Sequence, residues 1–307
     1  MKPLPTFEYN TGFFGGTETM AKGFIKNVLP EMTNIKKYYS VIIPGPLPDV
    51  KTVGINGDKY IFWVHNTMIQ FDPIVKEILI NPAVKRSTEK IVAVSKYERE
   101  VLSKELRLDP EKIYVIPNAI EPVIPTPNKF SNIDKVKIVH ASSQDRGMEL
   151  LLNAIPFMKE DFELNIFNNF YPDIPHNYNL DAVNDPRVNF YGKTPRKIVY
   201  RFMSDAHIHA YPSTYPETSC LTQMEALSAG CYSVHTDLGA LPETSLGYGT
   251  MIPTNELTPE RYAKELDNTI RMIRQNGYDY EKQVKDIHAN FTWEVAKKNW
   301  LAFDATI

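Results

Sequence analysis

The residues that raise the question of chemistry lie in Ala210-Tyr-Pro-Ser-Thr-Tyr-Pro-Glu217-Thr-Ser-Cys-Leu-Thr-Gln-Met-Glu225-Ala-Leu-Ser-Ala-Gly230, where seven residues separate Glu217 from Glu225. An apolar strand is expected to end at Tyr211, a turn follows with Pro212 and Pro216, and a helix opens near Ser219, capped by Thr218 or Ser219. Glu217 then stands on the loop before the helix, with Glu225 about two turns inside it. One carboxylate meets a ligand group at the loop, and the other meets a group further out along the same helix. The first amides of that helix, around Cys220, Leu221 and Thr222, lack intrahelical acceptors and favour an anion. Taken alone, two glutamates at this spacing are also what a turn residue and a solvated helix residue look like.

Other segments carry groups of the same kind. Val136-Lys-Ile-Val-His-Ala-Ser142-Ser143-Gln-Asp-Arg146-Gly147 puts Arg146 on the loop between a strand and a helix. A guanidinium there grips a diphosphate through parallel bonds and keeps its charge. Gly12-Phe-Phe-Gly15-Gly16-Thr17-Glu18 opens a helix with glycines that let backbone approach a ligand. It is not the GxGxxG dinucleotide fingerprint, because the spacing fails and no clear apolar strand precedes it. Trp63-Val-His65-Asn66 sets a histidine at a strand end. His207 and His209 alternate like metal ligands but lack a convincing third, and core packing explains them better. No Asp-x-Asp is found in the candidate loops, so no catalytic Mg²⁺ or Mn²⁺ is expected. Cys220 has no base placed to activate it.

Together these segments resemble, in order and over nearly the whole chain, the retaining nucleotide-sugar-dependent glycosyltransferases of the GT-B fold, family 4 (glycosyl transferases group 1). The stretch from Glu217 to Glu225 resembles that family's Glu-x7-Glu motif, with Asp237-Leu-Gly-Ala-Leu-Pro-Glu243 after the next strand. The resemblance implies that Glu217 holds sugar hydroxyls of the donor and Glu225 its ribose hydroxyls. It implies that His65 approaches the donor sugar, and that Gly15 and Gly16 lie over the donor phosphates or the acceptor. Val188-Asn-Phe-Tyr-Gly192-Lys193 resembles the element bordering the nucleotide base. Thr218-Ser219-Cys220 stands where the family has Gly-Phe-Gly, and Ser142 and Ser143 stand near the place of a second arginine. The expected catalytic set is His65, Arg146 and Glu217. The expected donor-binding set is Gly15, Gly16, Ser142, Ser143, Arg146, Gly192, Lys193, Glu217, Ser219, Cys220, Leu221, Thr222 and Glu225.

These groups need a scaffold. The chain has 307 residues, 43% of them apolar, a soft indication of two domains. Thirty-four basic against 37 acidic residues give a net charge of −3, which argues against a general nucleic-acid binder. Short β-branched runs alternate with helical stretches. Strands are expected at 39–43, 60–64, 91–94, 113–116, 137–140, 163–167, 188–191, 207–211 and 232–235, and helices at 18–29, 73–79, 96–106, 148–158, 196–204, 222–229 and 259–275. This is the α/β pattern of parallel sheets covered on both faces, hence two Rossmann-like doubly wound domains facing across a cleft. Pro122, Pro125 and Pro127 mark the boundary. The domains are placed at 1–122, joined by a C-terminal crossover helix at about 292–307, and at 128–291.

The expected activity is retaining transfer of a sugar from a UDP-, GDP- or ADP-linked donor to a hydroxyl of a glycan, lipid-linked or small-molecule acceptor. A nucleotide- or glycan-binding module without catalysis, or an epimerase of the same architecture, is the alternative. No cofactor or metal is expected, nor a nucleic-acid partner. Lys22, Lys26, Lys36 and Lys37 allow at most peripheral membrane contact. Met1-Lys-Pro-Leu-Pro lacks the apolar run of a secretory signal, and Cys220 and Cys231 form no disulfide framework, so a cytoplasmic setting is expected.

Overall fold

A computed structural model of the chain describes residues 16–35, 39–43, 51–53, 59–66, 88–168 and 180–307. The expected helix at 73–79, the Gly12–Gly15 loop, Lys36 and Lys37 lie outside them. Two compact units result: Met1–Ile120 with Phe291–Ile307, and Glu121–Asn290.

The first unit is built on a sheet of order β2-β1-β3-β4-β5, with β1 at Tyr39–Ile43, β2 at Lys51–Val53, β3 at Lys59–Val64, β4 at Thr88–Ala93 and β5 at Ile113–Val115. β1, β3, β4 and β5 run parallel, and β2 lies antiparallel on the β1 edge. Alternation along β3 divides its side chains between two layers. Phe62 and Val64 pack with Ile91, Ala93 and Ile113, and with Leu102 and Leu106 of the helix α2, Lys96–Leu106. Trp63 points the other way. Its ring lies 5.3 Å from Phe24 of α1 (Gly16–Asn27) and 5.1 Å from Trp300 of the helix Trp293–Asp304. Ser95 caps α2, accepting from the Glu98 amide at 3.0 Å, while Glu98 accepts from the Val94 amide at 2.7 Å. The chain returns to this unit where the Ile120 amide donates to the Phe291 carbonyl at 2.7 Å. Asp304 then accepts from the amides of Thr33 and Ile35 at 2.7 and 2.6 Å.

The second unit holds a fully parallel sheet of order β8-β7-β6-β9-β10-β11. Its strands are β6 Val136–Ala141, β7 Phe162–Phe167, β8 Val188–Phe190, β9 Ile208–Tyr211, β10 Tyr232–Thr236 and β11 Thr250–Ile252. Counted from β6 as the first, the order is 3-2-1-4-5-6, that of a doubly wound nucleotide-binding domain. Val136 and Ile138 face one layer with Leu151, Leu152 and the Tyr262–Leu266–Ile270–Ile273 stripe of the helix Pro259–Asn276. Val139, the residue after Ile138, faces the other layer, with Met203, Ala226 and Ala229. That helix reads clearly because apolar residues recur every three or four positions behind a Thr258 cap, which accepts from the Arg261 amide at 3.2 Å.

The short edge strands β2 and β11, and the helices Leu241–Ser245 and Glu281–Phe291, are absent from the sequence expectation, whereas the helix expected at about 292–307 is found at Trp293–Asp304. Three-residue strands offer no period to read. The stretch 148–158 is helical only to Ala154 and then tightens into a 3₁₀ turn at Ile155–Phe157, where Pro156 interrupts the helical hydrogen bonding.

Candidate functional site

In the second unit β6 and β9 are neighbours, yet the chain winds away from them in opposite directions. The loops beyond their carboxyl ends therefore diverge, and such a switch point is where ligands bind in open α/β sheets. The loop after β6 carries Ser142 to Arg146, and the loop after β9 carries Pro212 to Glu217.

The structure brings Arg146 and Glu217 together: Arg146 Nε lies 3.0 Å from Glu217 Oε1, and Arg146 also pairs with the adjacent Asp145. The guanidinium lies over the Tyr215 ring, 3.3 Å from its centroid. Tyr211 donates from its hydroxyl to the same Glu217 Oε1 at 2.6 Å and lies 3.3 Å from the Ser142 hydroxyl. Ser143 turns away and donates to Asp145 at 2.7 Å. Burial raises the Glu217 carboxyl above the usual carboxylate range, with Arg146 and Tyr211 pulling it back in part. Burial also works against the charge on Arg146, but Glu217, Tyr211 and Asp145 outweigh it, and the guanidinium holds its proton more tightly than usual. This is a half-buried, fixed cation whose partners are carboxylates, the charge type that a diphosphate would replace.

Two glycines make this packing possible. Gly147, at φ 87°, follows Arg146, and a Cβ there would run into the Pro212 carbonyl. Gly239, at φ 67°, sits where a Cβ would run into the backbone of Glu217. The next amide, that of Ala240, donates to the Glu217 carbonyl at 2.7 Å. The Asp237–Ala240 turn thus buttresses Glu217 from behind.

The helix that follows runs Leu221–Ser228, and its N-cap is Cys220, with no side-chain cap. The expected start near Ser219 and the cap by Thr218 or Ser219 are therefore corrected. Pro216 and the Glu217 loop are held against the 237–240 turn, which delays the helix by about a residue or two. Leu221 and Thr222 form its first turn, and the Thr222 hydroxyl is shielded from solvent without a partner among the described residues. The Cys220 thiol is buried with Tyr211 and Leu241, and burial pushes it far above its ordinary value, which disfavours the thiolate.

Glu225 is buried, 6% exposed at its side chain. Its Oε1 accepts from the Tyr200 hydroxyl at 2.9 Å and pairs with Arg196, whose Nε also donates to the Tyr200 hydroxyl at 2.6 Å. Gly192, at φ 60°, and the exposed Lys193 follow β8, and the Gly192 carbonyl accepts from the Asn168 amide at 3.3 Å.

His65 and Gly16 belong to the first unit. Gly16 opens α1 and is exposed, while Gly15 lies outside the described residues. The His65 ring is buried, 4.5 Å from Trp63, and burial lowers its pKa to about 3, so it is neutral at pH 7. His207 accepts from the Lys137 amide at 2.9 Å and lies 2.8 Å from the Lys129 carbonyl, whereas His209 lies in the sheet core. Among the described residues no group of three or more His, Cys, Asp or Glu side chains gathers to hold a metal.

Sequence reasoning passed over Tyr211, Asp145, Tyr215, Arg196 and Tyr200. Tyr211 ends an apolar strand and reads as core, while Arg196 and Tyr200 read as a solvated helix face. The i, i+4 spacing of those two is the one signal that puts them side by side.

A family model described as Glycosyl transferases group 1 matches residues 136–272, and one described as Glycosyltransferase Family 4 matches residues 51–123. A phosphatidylinositol N-acetylglucosaminyltransferase subunit of Homo sapiens is 26% identical over 291 residues, covering 87% of this chain and 56% of that protein. Its namesake from Arabidopsis thaliana is 22% identical, covering 71% of this chain and 50% of that protein. The chain thus spans about half the length of the curated relatives it matches. Among solved structures, Anabaena HepE in complex with UDP and glucose superimposes with a TM-score of 0.66 at 15% identity, covering 81% of this chain and 72% of that one. A glycosyltransferase from Rickettsia africae gives 0.65 at 16% identity, covering 98% and 84%.

Proposed function

This chain belongs to the GT-B glycosyltransferases of family 4 type, and from that membership we propose that it transfers a hexose-type sugar from a nucleoside diphosphate to an acceptor hydroxyl, retaining the anomeric configuration. The observation that carries the reading is the meeting of Arg146, Glu217 and Tyr211 at the sheet's switch point, beside the start of the helix Leu221–Ser228.

The reaction must stabilise a departing diphosphate and a transient oxocarbenium-like sugar. Arg146 and the first amides of the helix meet the negative charge that grows on the leaving group, in place before it develops. The Thr222 hydroxyl, unpartnered among the described residues, supplies a further donor at that helix start. Glu217 accepts hydroxyls of the donor sugar through a carboxylate that Tyr211 and the 237–240 turn hold in place. Glu225 accepts the ribose hydroxyls. In the first unit, His65 is kept as a neutral hydrogen-bonding group, in line with the lowering of its pKa. With the half-buried Arg146 as counter-charge to the diphosphate, the transfer proceeds without a divalent ion.

The UDP named with the Anabaena HepE structures makes UDP-sugars the first donors to assay, ahead of GDP- and ADP-linked ones. The test is a thermal-shift and calorimetric screen against nucleoside diphosphates, followed by transfer of labelled sugar from the matching donor. Binding at 100 times Kd stabilises the fold by about 2.7 kcal/mol. Absence of binding to every nucleoside diphosphate, or a product of inverted anomeric configuration, overturns the proposal.

A further inference from the structure

The two carboxylates of the Glu-x7-Glu stretch are held by the same device. Glu217 receives Arg146 and the Tyr211 hydroxyl on one oxygen, Oε1, and Glu225 receives Arg196 and the Tyr200 hydroxyl on one oxygen, also Oε1. Around Glu225 the arrangement closes into a triangle, because Arg196 Nε also donates to the Tyr200 hydroxyl at 2.6 Å. Each member touches the other two, so none turns without breaking two contacts. Glu225 is thereby fixed in one rotamer, with Oε2 as the remaining acceptor.

The placement of Arg196 is costly for its own helix. Arg196 is the first residue of the helix Arg196–Asp205, which has no acidic residue in its first turn and no side-chain cap at Pro195. A cation at a helix N-terminus opposes the helix dipole, so Arg196 finds its favourable partner outside its own helix, in Glu225. Tyr200 follows one turn later on the same face and completes the contact.

Resting on the reading of Glu225 as the ribose acceptor, we propose that Arg196 and Tyr200 are positioning residues that aim Glu225 Oε2 at the ribose hydroxyls, and so set the enzyme's preference for ribo- over deoxyribonucleotide donors. A carboxylate held this way is charged, desolvated and unable to swing aside. A ligand lacking the hydroxyl leaves that acceptor unpaired, and the penalty appears as selectivity. An arginine that merely neutralised a buried carboxylate would matter for folding and be indifferent to the sugar of the nucleotide.

The experiment measures calorimetric Kd values of UDP, GDP and ADP and of their 2′-deoxy counterparts. For whichever base binds the unmodified protein, the deoxy form is expected to bind roughly 10- to 100-fold more weakly. In Arg196→Met the ribonucleotide falls to the level of the deoxynucleotide, while deoxynucleotide affinity stays within about twofold, so the ratio collapses. Tyr200→Phe, which removes one hydroxyl, narrows the ratio in the same direction, and Arg196→Lys restores part of it. A ratio that survives Arg196→Met, or a loss equal for both nucleotides, overturns the proposal and assigns Arg196 to the phosphate, the base or packing. Should Arg196→Met not fold, Tyr200→Phe decides: an unchanged ratio there overturns it equally. If no nucleoside diphosphate binds the unmodified protein, the parent reading fails and takes this one with it. Binding that Arg146→Ala weakens while the ribose ratio is untouched by Arg196→Met sinks this proposal alone.

Discussion

Arg146 Nε lies 3.0 Å from Glu217 Oε1, so the cation proposed for the diphosphate and the carboxylate proposed for the adjoining sugar hold each other. On the proposed function, a diphosphate entering the site would take the place of Glu217 and Asp145 at Arg146 and release Glu217 toward sugar hydroxyls.

Arg146→Ala and Glu217→Gln are therefore each expected to lower turnover at least tenfold. Arg146→Ala should approach the ~10²–10³ loss typical of removing one preorganised donor. Because the two residues touch, the double variant should lose less than the product of the single losses. Steady-state kinetics of the three variants, with circular dichroism as the control for folding, checks this.

The ionised Glu217 is the stronger acceptor of a hydroxyl, and burial raises its carboxyl. Donor affinity should fall on the acid side at a pH above the ordinary carboxylate range. In Glu217→Gln that acid limb should vanish from the pH profile of kcat/KM. A limb that survives unchanged assigns it to another group.

The glycines behind the site should tolerate no side chain. Gly239→Ala and Gly147→Ala place a Cβ against backbone at positive φ, and each is expected to cost ~1–3 kcal/mol of stability. Gly239→Ala should also lower kcat/KM, since it displaces Glu217. Urea titration beside kinetics separates the two effects.

Much of this was legible in the amino-acid order. The strands at 39–43, 163–167 and 232–235 announce themselves as β-branched runs, and the helix at 96–106 is bounded as expected because Ser95 and Glu98 form its cap. Family resemblance singled out Arg146 and Glu217 as candidate site residues. What no spacing reveals is the contact between them, since the switch point that joins their loops depends on the strand order of the whole sheet. Nor could Tyr211 be told from its apolar neighbours, because its ring packs as core while its hydroxyl alone serves the site. The delayed helix start at Leu221 depends on a contact with the 237–240 turn, a relation between distant segments.

Four histidines in the second unit make it acid-sensitive. Burial lowers His140, His207 and His235 to about 4, and His209 well below its ordinary value. A histidine with a depressed folded pKa favours the native state above about 6.5, and that stability drains away as pH falls toward the folded value. Each contributes roughly 1.4 kcal/mol per pH unit over that window. Glu98 in the first unit and Glu217 in the second, both raised by burial, act in the opposite sense, while burial also lowers His288 and, in the first unit, His65. Urea midpoints at pH 7.5, 6 and 5 should fall steeply, and a flat profile would contradict the assignment.

Lys129 is buried, with Nζ donating at 2.6 Å to both the Ala206 and Ala229 carbonyls, just beyond the ends of two helices. Lys129→Met leaves both oxygens without that partner and should cost about 2–4 kcal/mol. Thermal denaturation checks this.

The return of residues 291–307 to the first unit has a consequence for biosynthesis. Thr33 and Ile35 are made before the second unit, but the Asp304 carboxylate that ties their amides is not made until the whole of that unit has been translated. The later-made lobe is continuous in sequence and can close on itself as it emerges, while the earlier one waits unfinished for its closing helix. Nascent chains stalled before Trp293 should thus expose a half-built amino-terminal lobe to chaperones beside a carboxy-terminal lobe that is already native.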